Sequence, residues 1–283
     1  MSDKALATQQ PAALVAVELP INLPVLTGDV DMAEIKEALA ANMEEGESLQ
    51  FPKIKMPTGG MVFWEIPTEE EKPTMAEELI GVVLLKQAGN VWYEVDGAEK
   101  GKRPDCASRD GKLGFMQNTP SMPINCATCP RNQWGSKMKD GQPLKGKACK
   151  NVMNLAFLME GNVFPHHIPI TPGSLASWHD YAKRLTTARI PKPLYGVVTK
   201  IRLVKVSNGQ NLAYAQATFH KVGDLTNAQK AEVKKFASYI EPFFRAIEVE
   251  AEDVYAEEEA VSYQSGAAQS AATADVGNPN EAY

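Results

Sequence analysis

The sequence predicts an α+β protein that is mainly β, and three observations support this fold class. Short apolar runs separated by Gly, Pro and Asn recur from Leu49 to His220, a pattern typical of strands and turns. Helical periodicity is limited to three stretches, at 31–43, at 174–187 and after Thr226. Apolar residues make up 44% of the 283 residues, which is enough for a sizeable core.

The N-terminal part predicts an arm, a helix and a hairpin. Residues 1–27 are rich in Ala, Pro, Leu and Val and poor in charge, so we expect a flexible arm. In 31–43, Met, Ile and Leu residues recur at helical spacing and predict an amphipathic helix. The runs 49–56 and 61–66 flank a Thr-Gly-Gly turn and predict a β-hairpin.

The middle of the chain predicts four strands with an insertion between them. Apolar runs at 78–86 and 91–95 predict two strands, and 152–159 and 163–170 predict two more. Between these pairs, residues 101–150 hold Gly, Pro, Lys and Asn and few long apolar runs. We interpret this stretch, called the insert below, as an interruption of the strand pattern.

The next part predicts a helix, a hairpin and a second helix. Residues 174–187 place Leu, Trp, Tyr and Ala on one helical face. The runs 194–206 and 211–220 flank an Asn-Gly pair, which favours a tight hairpin turn. A capping box at 226–229 begins the last helix, and we expect Pro242 to kink or end it.

Charge is segregated along the chain. No Lys or Arg follows Arg245, and residues 248–283 hold 9 of the 35 acidic residues. The part of the chain before residue 248 therefore holds the other 26 acidic residues and all 29 basic residues, and it is slightly basic. We expect 248–283 to be a disordered acidic tail and 28–247 to form the folded domain.

The sequence predicts neither membrane insertion nor secretion. It lacks an apolar run of about eighteen residues, and its first residues lack the basic and apolar regions of a signal peptide. We therefore expect a cytoplasmic protein. In a reducing cytoplasm, clustered cysteines favour metal binding over disulfides.

All four cysteines of the chain lie within the insert, and they predict a metal site. They are Cys106, Cys126, Cys129 and Cys149, and the middle pair has the Cys-x2-Cys spacing of a zinc knuckle. We expect one structural Zn²⁺ held by four thiolates; an iron–sulfur cluster or two disulfides are the alternatives. A catalytic zinc keeps an open position, which four cysteines do not leave. We therefore expect no enzymatic activity.

Two basic stretches predict contacts with nucleic-acid phosphates. The insert holds ten Lys or Arg and three Asp, and 181–210 holds seven Lys or Arg and no acid. The candidate phosphate contacts are Lys102, Arg103, Arg109, Lys112, Arg131, Lys137, Lys139, Lys145 and Lys147 in the insert, and Lys183, Arg184, Lys200 and Arg202 beyond it. Trp134 lies in an otherwise polar and basic run and is the candidate for base stacking. An ordinary solvated face is the alternative for each cluster.

The acidic tail predicts a second role for charge. A negatively charged segment can occupy a basic surface and compete with nucleic acid in a salt-dependent way. When nucleic acid displaces it, the tail becomes free to dock partner proteins. The alternative is a tail that only increases solubility.

The layout of residues 49–247 and of the tail resembles phage-type single-stranded-DNA-binding proteins. The shared features are a β-rich body with basic strands, a zinc loop between strands, and an acidic tail that ends in an aromatic residue, here Tyr283. The cysteine segments 126–136 and 146–150 also look like those of phage and mobile-element proteins. The resemblance implies an OB-like β-barrel core with a zinc-binding insertion and flanking helices. It further implies single-stranded-DNA binding in phage replication or recombination, with proteins of those processes docking on the tail in the host cytoplasm.

Two other functions remain open on the sequence. One is a zinc-stabilised protein-interaction or virion-associated protein without nucleic-acid binding, whose basic surface meets an acidic protein. The other is a nuclease, although no carboxylate cluster typical of one is recognisable. The sequence also leaves open whether the chain forms a homo-oligomer.

Overall fold

A computed structural model describes most of the predicted domain. The described residues are 21–24, 32–42, 49–57, 60–70, 72–94, 103–139, 141–207 and 213–250. Within them the chain is mainly β with a few helices, built on one large antiparallel sheet, which confirms the α+β class. Most of the predicted arm and tail, and the Asn-Gly turn at 208–209, lie outside these residues.

The described residues form twelve strands and three α-helices. The strands are β1 Trp64–Ile66, β2 Thr74–Ala76, β3 Glu78–Trp92, β4 Cys106–Ser108, β5 Leu113–Met116, β6 Thr119–Asn125, β7 Met138–Lys139, β8 Gln142–Pro143, β9 Lys150–Met159, β10 His166–Ile170, β11 Val197–Ser207 and β12 Ala213–Asp224. The helices are α1 Met32–Asn42, α2 Leu175–Thr186 and α3 Asn227–Arg245.

Strand β3 organises the sheet. Its 15 residues span about 50 Å at about 3.3 Å per residue, so one edge can hold two neighbours in succession. On that edge β11 pairs with Glu78–Gly81 and β4 pairs with Asn90–Trp92, while β9 pairs along the other edge. Strands β5 and β6 continue from β4. The insert therefore extends the main sheet.

Both faces of the sheet are covered by apolar side chains. On one face, Trp178 and Tyr181 of α2 pack with Trp64 of β1 and with β9, β11 and β12. On the other face, the buried stripe of α3 packs on β3 and β9. Burial on both faces explains why Leu155–Met159 is a continuous buried run rather than an alternating one.

Helix α3 begins as predicted and continues past Pro242, where the sequence predicted a kink or an end. The capping box at Thr226 is present, with Gln229 as its second member. Pro242 lies inside the helix, which continues to Arg245. Two contacts hold this last turn on the sheet: Phe244 is fully buried, and Arg245 Nη1 donates to the carbonyl of Lys86 at 3.0 Å. These contacts outweigh the one backbone hydrogen bond that Pro242 removes.

Two strand predictions are wrong. Strand β1 pairs with β2, whereas the backbone of 49–57 pairs with β1 only at an isolated Lys55–Glu65 bridge, so the predicted hairpin does not form. The predicted strands 78–86 and 91–95 are one strand, β3. Buried Gln87, whose amide donates to the Arg245 carbonyl at 3.3 Å, sits where the sequence suggested a break.

The described strands form no closed barrel, so the predicted OB-like barrel is not confirmed. No helix in the described part of the chain has both the length and the apolar character needed to cross a bilayer.

Both predicted flexible ends are partly packed on the domain. Within the arm, Leu23 is buried in the α3-side core and the Asn22 N–H donates to Glu160 Oε1 at 2.9 Å. At the start of the tail, Val249 is 5% exposed and packs against Val91 and Val152. Residues 251–283 lie outside the described part.

Candidate nucleic-acid interface and cysteine cluster

The fold brings the four cysteines together. Cys106 begins β4, the Cys126–Cys129 pair follows β6, and Cys149 directly precedes β9. Because β4, β5 and β6 are consecutive neighbours in the sheet, these distant positions meet at its end. All four side chains line one cavity of about 20 Å³.

Strand β5 passes close beneath the cysteines at Gly114. A Cβ at this position would lie 3.1 Å from Cys106 Sγ and 3.4 Å from Cys126 Sγ. The two sulfurs therefore face the same side of β5, and a side chain at 114 would press on both.

The loops that carry the cysteines are fastened to each other. Asn132 Nδ2 donates to the Cys126 carbonyl at 2.8 Å, and Gln133 Nε2 donates to the Cys129 carbonyl at 3.2 Å. The Cys149 N–H donates to the Arg131 carbonyl at 2.8 Å. These bonds fix the backbone around three of the four thiols.

The cysteines are free thiols. Burial, and then the neighbouring cysteines, raise the pKa of Cys149 to about 12, and burial also raises the pKa of Cys106. Within the described residues, no group of three or more His, Cys, Asp or Glu side chains is placed so that it could hold a metal ion. The four cysteines line one cavity, but their sulfurs are not arranged as the ligands of a metal ion. The zinc site therefore stays a prediction.

Arg131 and Lys147, two predicted phosphate contacts, lie against this cluster. Arg131 lines the cysteine cavity, and its guanidinium carbon lies 3.9 Å from the centroid of the Trp92 ring. Lys147 Nζ donates to Asn132 Oδ1 and Asn151 Oδ1, each at 3.3 Å. Both side chains are half-buried, and neither forms an ion pair with a carboxylate of the described residues.

Trp134 lies on the outer side of the same loop and is 76% exposed. Its loop is held by the Gly135 N–H, which donates to the Gly146 carbonyl at 2.7 Å, and by Ser136 Oγ, which donates to the Arg131 carbonyl at 2.8 Å. Gly135 has a φ of +85°, a conformation that favours glycine and turns the chain after the indole. The indole is therefore accessible, and its role in base stacking stays a prediction.

The other predicted contacts of the insert differ in how available they are. Arg103, Lys112 and Lys145 are exposed, and Lys137 is half-buried. Arg109 is exposed but forms an ion pair with Glu248. Lys102 and the side chain of Lys139 lie outside the described residues.

The second basic stretch is partly neutralised. Lys200 and Arg202 share one face of β11 as predicted, but both pair with Glu78 of β3, Arg202 Nε at 2.6 Å and Lys200 Nζ at 3.3 Å. The bond from Arg202 holds the pKa of Glu78 below its ordinary value. Lys183 and Arg184 are exposed on α2, where Arg184 Nη2 donates to the Phe219 carbonyl at 3.3 Å.

The fold also creates a basic cleft that the sequence did not predict. It has a volume of about 550 Å³ and is lined by Tyr181, Arg184, Leu185, Ala188, Lys192, His220 and Lys221. Asp224 pairs with Lys192 and with Lys221, each at 2.6 Å. Since these cations come from α2, its following loop and β12, local spacing gave no signal for the cleft.

His166 and His167, which begin β10, are both buried, and His167 Nε2 lies 3.0 Å from Asn154 Oδ1. Their positions are structural. Burial, followed by the charge of Lys53, lowers the pKa of His167 to about 3, so this imidazole is neutral at physiological pH.

No family model, curated protein or solved structure matches this chain.

Proposed function

We propose that the protein binds single-stranded DNA through the outer surface of the insert, without catalysing a reaction. The observation that carries this proposal is Trp134, an indole that is 76% exposed on a loop fixed by hydrogen bonds. An exposed indole on a fixed loop offers a flat apolar face to a partner, and tryptophan is enriched at binding surfaces. Stacking of one base on such a ring contributes about 1–3 kcal/mol.

Single strands suit this surface better than duplexes. The π-face of a base is accessible only when the base is unpaired and unstacked, and an exposed indole offers a matching face. Arg103, Lys112 and Lys145 supply exposed positive charge on the same insert for the phosphates. Base stacking combined with phosphate contacts would bind DNA with little preference for its sequence.

The proposal includes one structural Zn²⁺ at the four cysteines. Their spacing, their shared cavity and their fastened loops support it. The charge of four thiolates exceeds that of one Zn²⁺ by two, and Arg131 and Lys147 supply two compensating cations. The four cysteines would bind the ion as thiolates and release their protons. Their loops, so joined, would keep Trp134 in place.

The biological setting in the proposal follows from the resemblance noted above. It is phage DNA replication or recombination in the host cytoplasm, with the acidic residues beyond 250 as the docking segment for partner proteins. An OB-like core belongs to the same resemblance, but the binding surface proposed here does not require a closed barrel.

A second candidate function is that of a zinc-stabilised protein-interaction module. The observation that favours it is the group of exposed apolar side chains on the insert, Leu113, Phe115, Met122, Met138 and Leu144. Edge strand β6 carries Pro120 and Pro123, which cannot donate hydrogen bonds and so protect the edge. A partner of this kind would bind the apolar side chains rather than extend the sheet.

A titration separates the two functions. Fluorescence anisotropy with labelled single-stranded and duplex oligonucleotides is measured across a range of salt concentrations. We expect tighter binding of the single strand and an affinity that falls steeply with salt. Absence of single-strand binding at about 50 mM salt, where phosphate contacts are strong, would exclude the DNA-binding proposal and favour the interaction module.

A further inference from the structure

A second cationic site lies beside the insert. It is a pocket of about 490 Å³ between the segment before β1 and the end of α3, and its lining includes Phe51, Lys53, Arg109, His167 and Phe243. Lys53 belongs to the main domain and Arg109 to the insert. The sequence gave no reason to pair these two cations, which lie 56 positions apart.

The start of the acidic tail covers both cations. Glu248 pairs with Arg109, and Glu250 Oε2 lies 2.8 Å from Lys53 Nζ. Val249 between them is buried against Val91, Tyr93 and Val152. We call Glu248–Glu250 the strap, because one apolar anchor holds two carboxylates over the pocket.

Strand β3 leaves space for the strap at Gly89, which we call the seat. Gly89 lies in the interior of β3, where glycine weakens a strand unless another group must approach the backbone closely. A Cβ at Gly89 would overlap Val249 Cγ2. The φ of Gly89 is not in the left-handed region, so space for Val249, and not backbone conformation, is the reason for glycine here.

We infer that Lys53 and Arg109 form a phosphate site, in which the strap carboxylates stand in for two phosphates of a nucleic-acid strand. This deepens the proposed function and rests on it for the identity of the natural ligand. A carboxylate and a phosphate offer the same anionic oxygen acceptors to lysine and arginine. The Arg109–Glu248 pair is exposed on both sides, and such a pair contributes only about 0–1 kcal/mol. In the other pair Glu250 is 59% exposed while the Lys53 side chain is 17% exposed. A phosphate can replace both carboxylates because it offers the two cations the same anionic oxygens.

The pocket also fits more than an isolated anion. The half-buried ring of Phe243 lines it beside the cations, and such a ring offers a surface for a sugar or a base. The ligand class is a nucleotide with one phosphate on each side of its sugar, as every internal nucleotide of a single strand has.

Thymidine 3′,5′-bisphosphate is the probe that tests this site, with binding to the full-length protein measured by calorimetry at low salt. In E248Q/E250Q the carboxylates become neutral amides of the same size. We expect this variant to bind the probe about tenfold more tightly, because the two ion pairs no longer compete. The matched control is E65Q/E232Q, which changes net charge equally at two exposed residues elsewhere, and it should bind like the wild type.

Two further variants test the cations and the seat. Adding K53Q and R109Q to E248Q/E250Q should abolish the increase in probe affinity. Gly89→Ala should displace Val249 and increase probe affinity without changing any charge; if it does not fold, Val249→Asn replaces it. Equal probe affinity in E248Q/E250Q and E65Q/E232Q overturns the inference, as does a gain that persists without Lys53 and Arg109.

The same set of proteins separates this inference from the proposed function. One outcome is that probe affinity rises in E248Q/E250Q as expected while single-stranded oligonucleotides do not bind. This outcome supports the phosphate site and excludes the DNA-binding function. Oligonucleotide binding with no strap-dependent probe binding overturns the phosphate site alone.

Discussion

The guanidinium carbon of Arg131 lies 3.9 Å from the centre of the Trp92 ring, where the insert meets the end of β3. This contact joins the cysteine loop to the main sheet, and it places a cation beside the thiols rather than in solvent. We expect Arg131 to act mainly on the metal site, since second-shell partners tune metal affinity.

Arg131→Gln is therefore expected to weaken zinc binding by about tenfold, the lower end of second-shell effects. A chromogenic chelator competition assay measures this change. Arg103→Gln, which removes an exposed cation of the same insert, is the control and should leave zinc affinity unchanged. Equal zinc affinity in the two variants would contradict the charge-balancing role of Arg131.

Metal removal should loosen the insert before it affects the core. Elemental analysis of the purified protein is expected to find about one zinc per chain. Chelation, or Cys149→Ser, should lower the melting temperature and speed proteolysis between 103 and 149. Cys149 is a suitable position because it is buried and its N–H binds the Arg131 carbonyl. A zinc-free protein with an unchanged melting temperature on chelation would show that the metal proposal is wrong.

His167 should make stability depend on pH. Its pKa in the folded protein is about 3, below the ordinary value of 6.5, so between these values the unfolded chain binds a proton that the folded chain does not. Stability from this group is fully present above pH 6.5 and is lost as the pH falls. From pH 7 to pH 5 the loss is about 2 kcal/mol.

Urea unfolding of the wild type and of His167→Gln at pH 7 and pH 5 measures this contribution. Gln keeps a polar group near Asn154 but does not titrate. We expect the wild type to lose about 2 kcal/mol more than the variant between the two pH values. The same pH dependence in both proteins would rule out His167 as its source.

Glu78→Gln should increase affinity for nucleic acid if β11 takes part in binding. The change releases Lys200 and Arg202 from the carboxylate that pairs with both. One extra available phosphate contact on a single strand steepens the salt dependence by about 0.7 units of log–log slope. The single-strand anisotropy titration measures it, and Glu232→Gln is the charge-matched control. An unchanged slope would remove Lys200 and Arg202 from the binding surface.

Local patterns predicted the helices and most of the strands correctly. Helix α2 and helix α3 bury the residues that share a face at helical spacing, such as Trp178 and Tyr181, because that face meets the sheet. The insert was predicted as an interruption of the strand pattern, whereas it contains strands β4 to β8. These strands are short and carry few long apolar runs, so local patterns gave little signal for them.

Contacts between distant residues account for what the sequence missed. Gln87 is polar yet buried in β3, because a carbonyl from the end of α3 accepts its hydrogen bond. Arg202 looked free because its acid partner, Glu78, is 124 residues away. The packing of Arg131 on the Trp92 ring was not predicted, because the ring belongs to another element.

Substitution of Trp134 tests the central claim, DNA binding through the insert, most directly. Trp134→Ala is expected to weaken binding of a labelled oligo(dT) between about 5-fold and 150-fold, the range for one stacked base. Trp134→Phe should retain most of the affinity, and Met138→Ala, which removes another exposed apolar side chain of the insert, should change it little. Equal oligo(dT) affinity in wild type and Trp134→Ala would contradict the account.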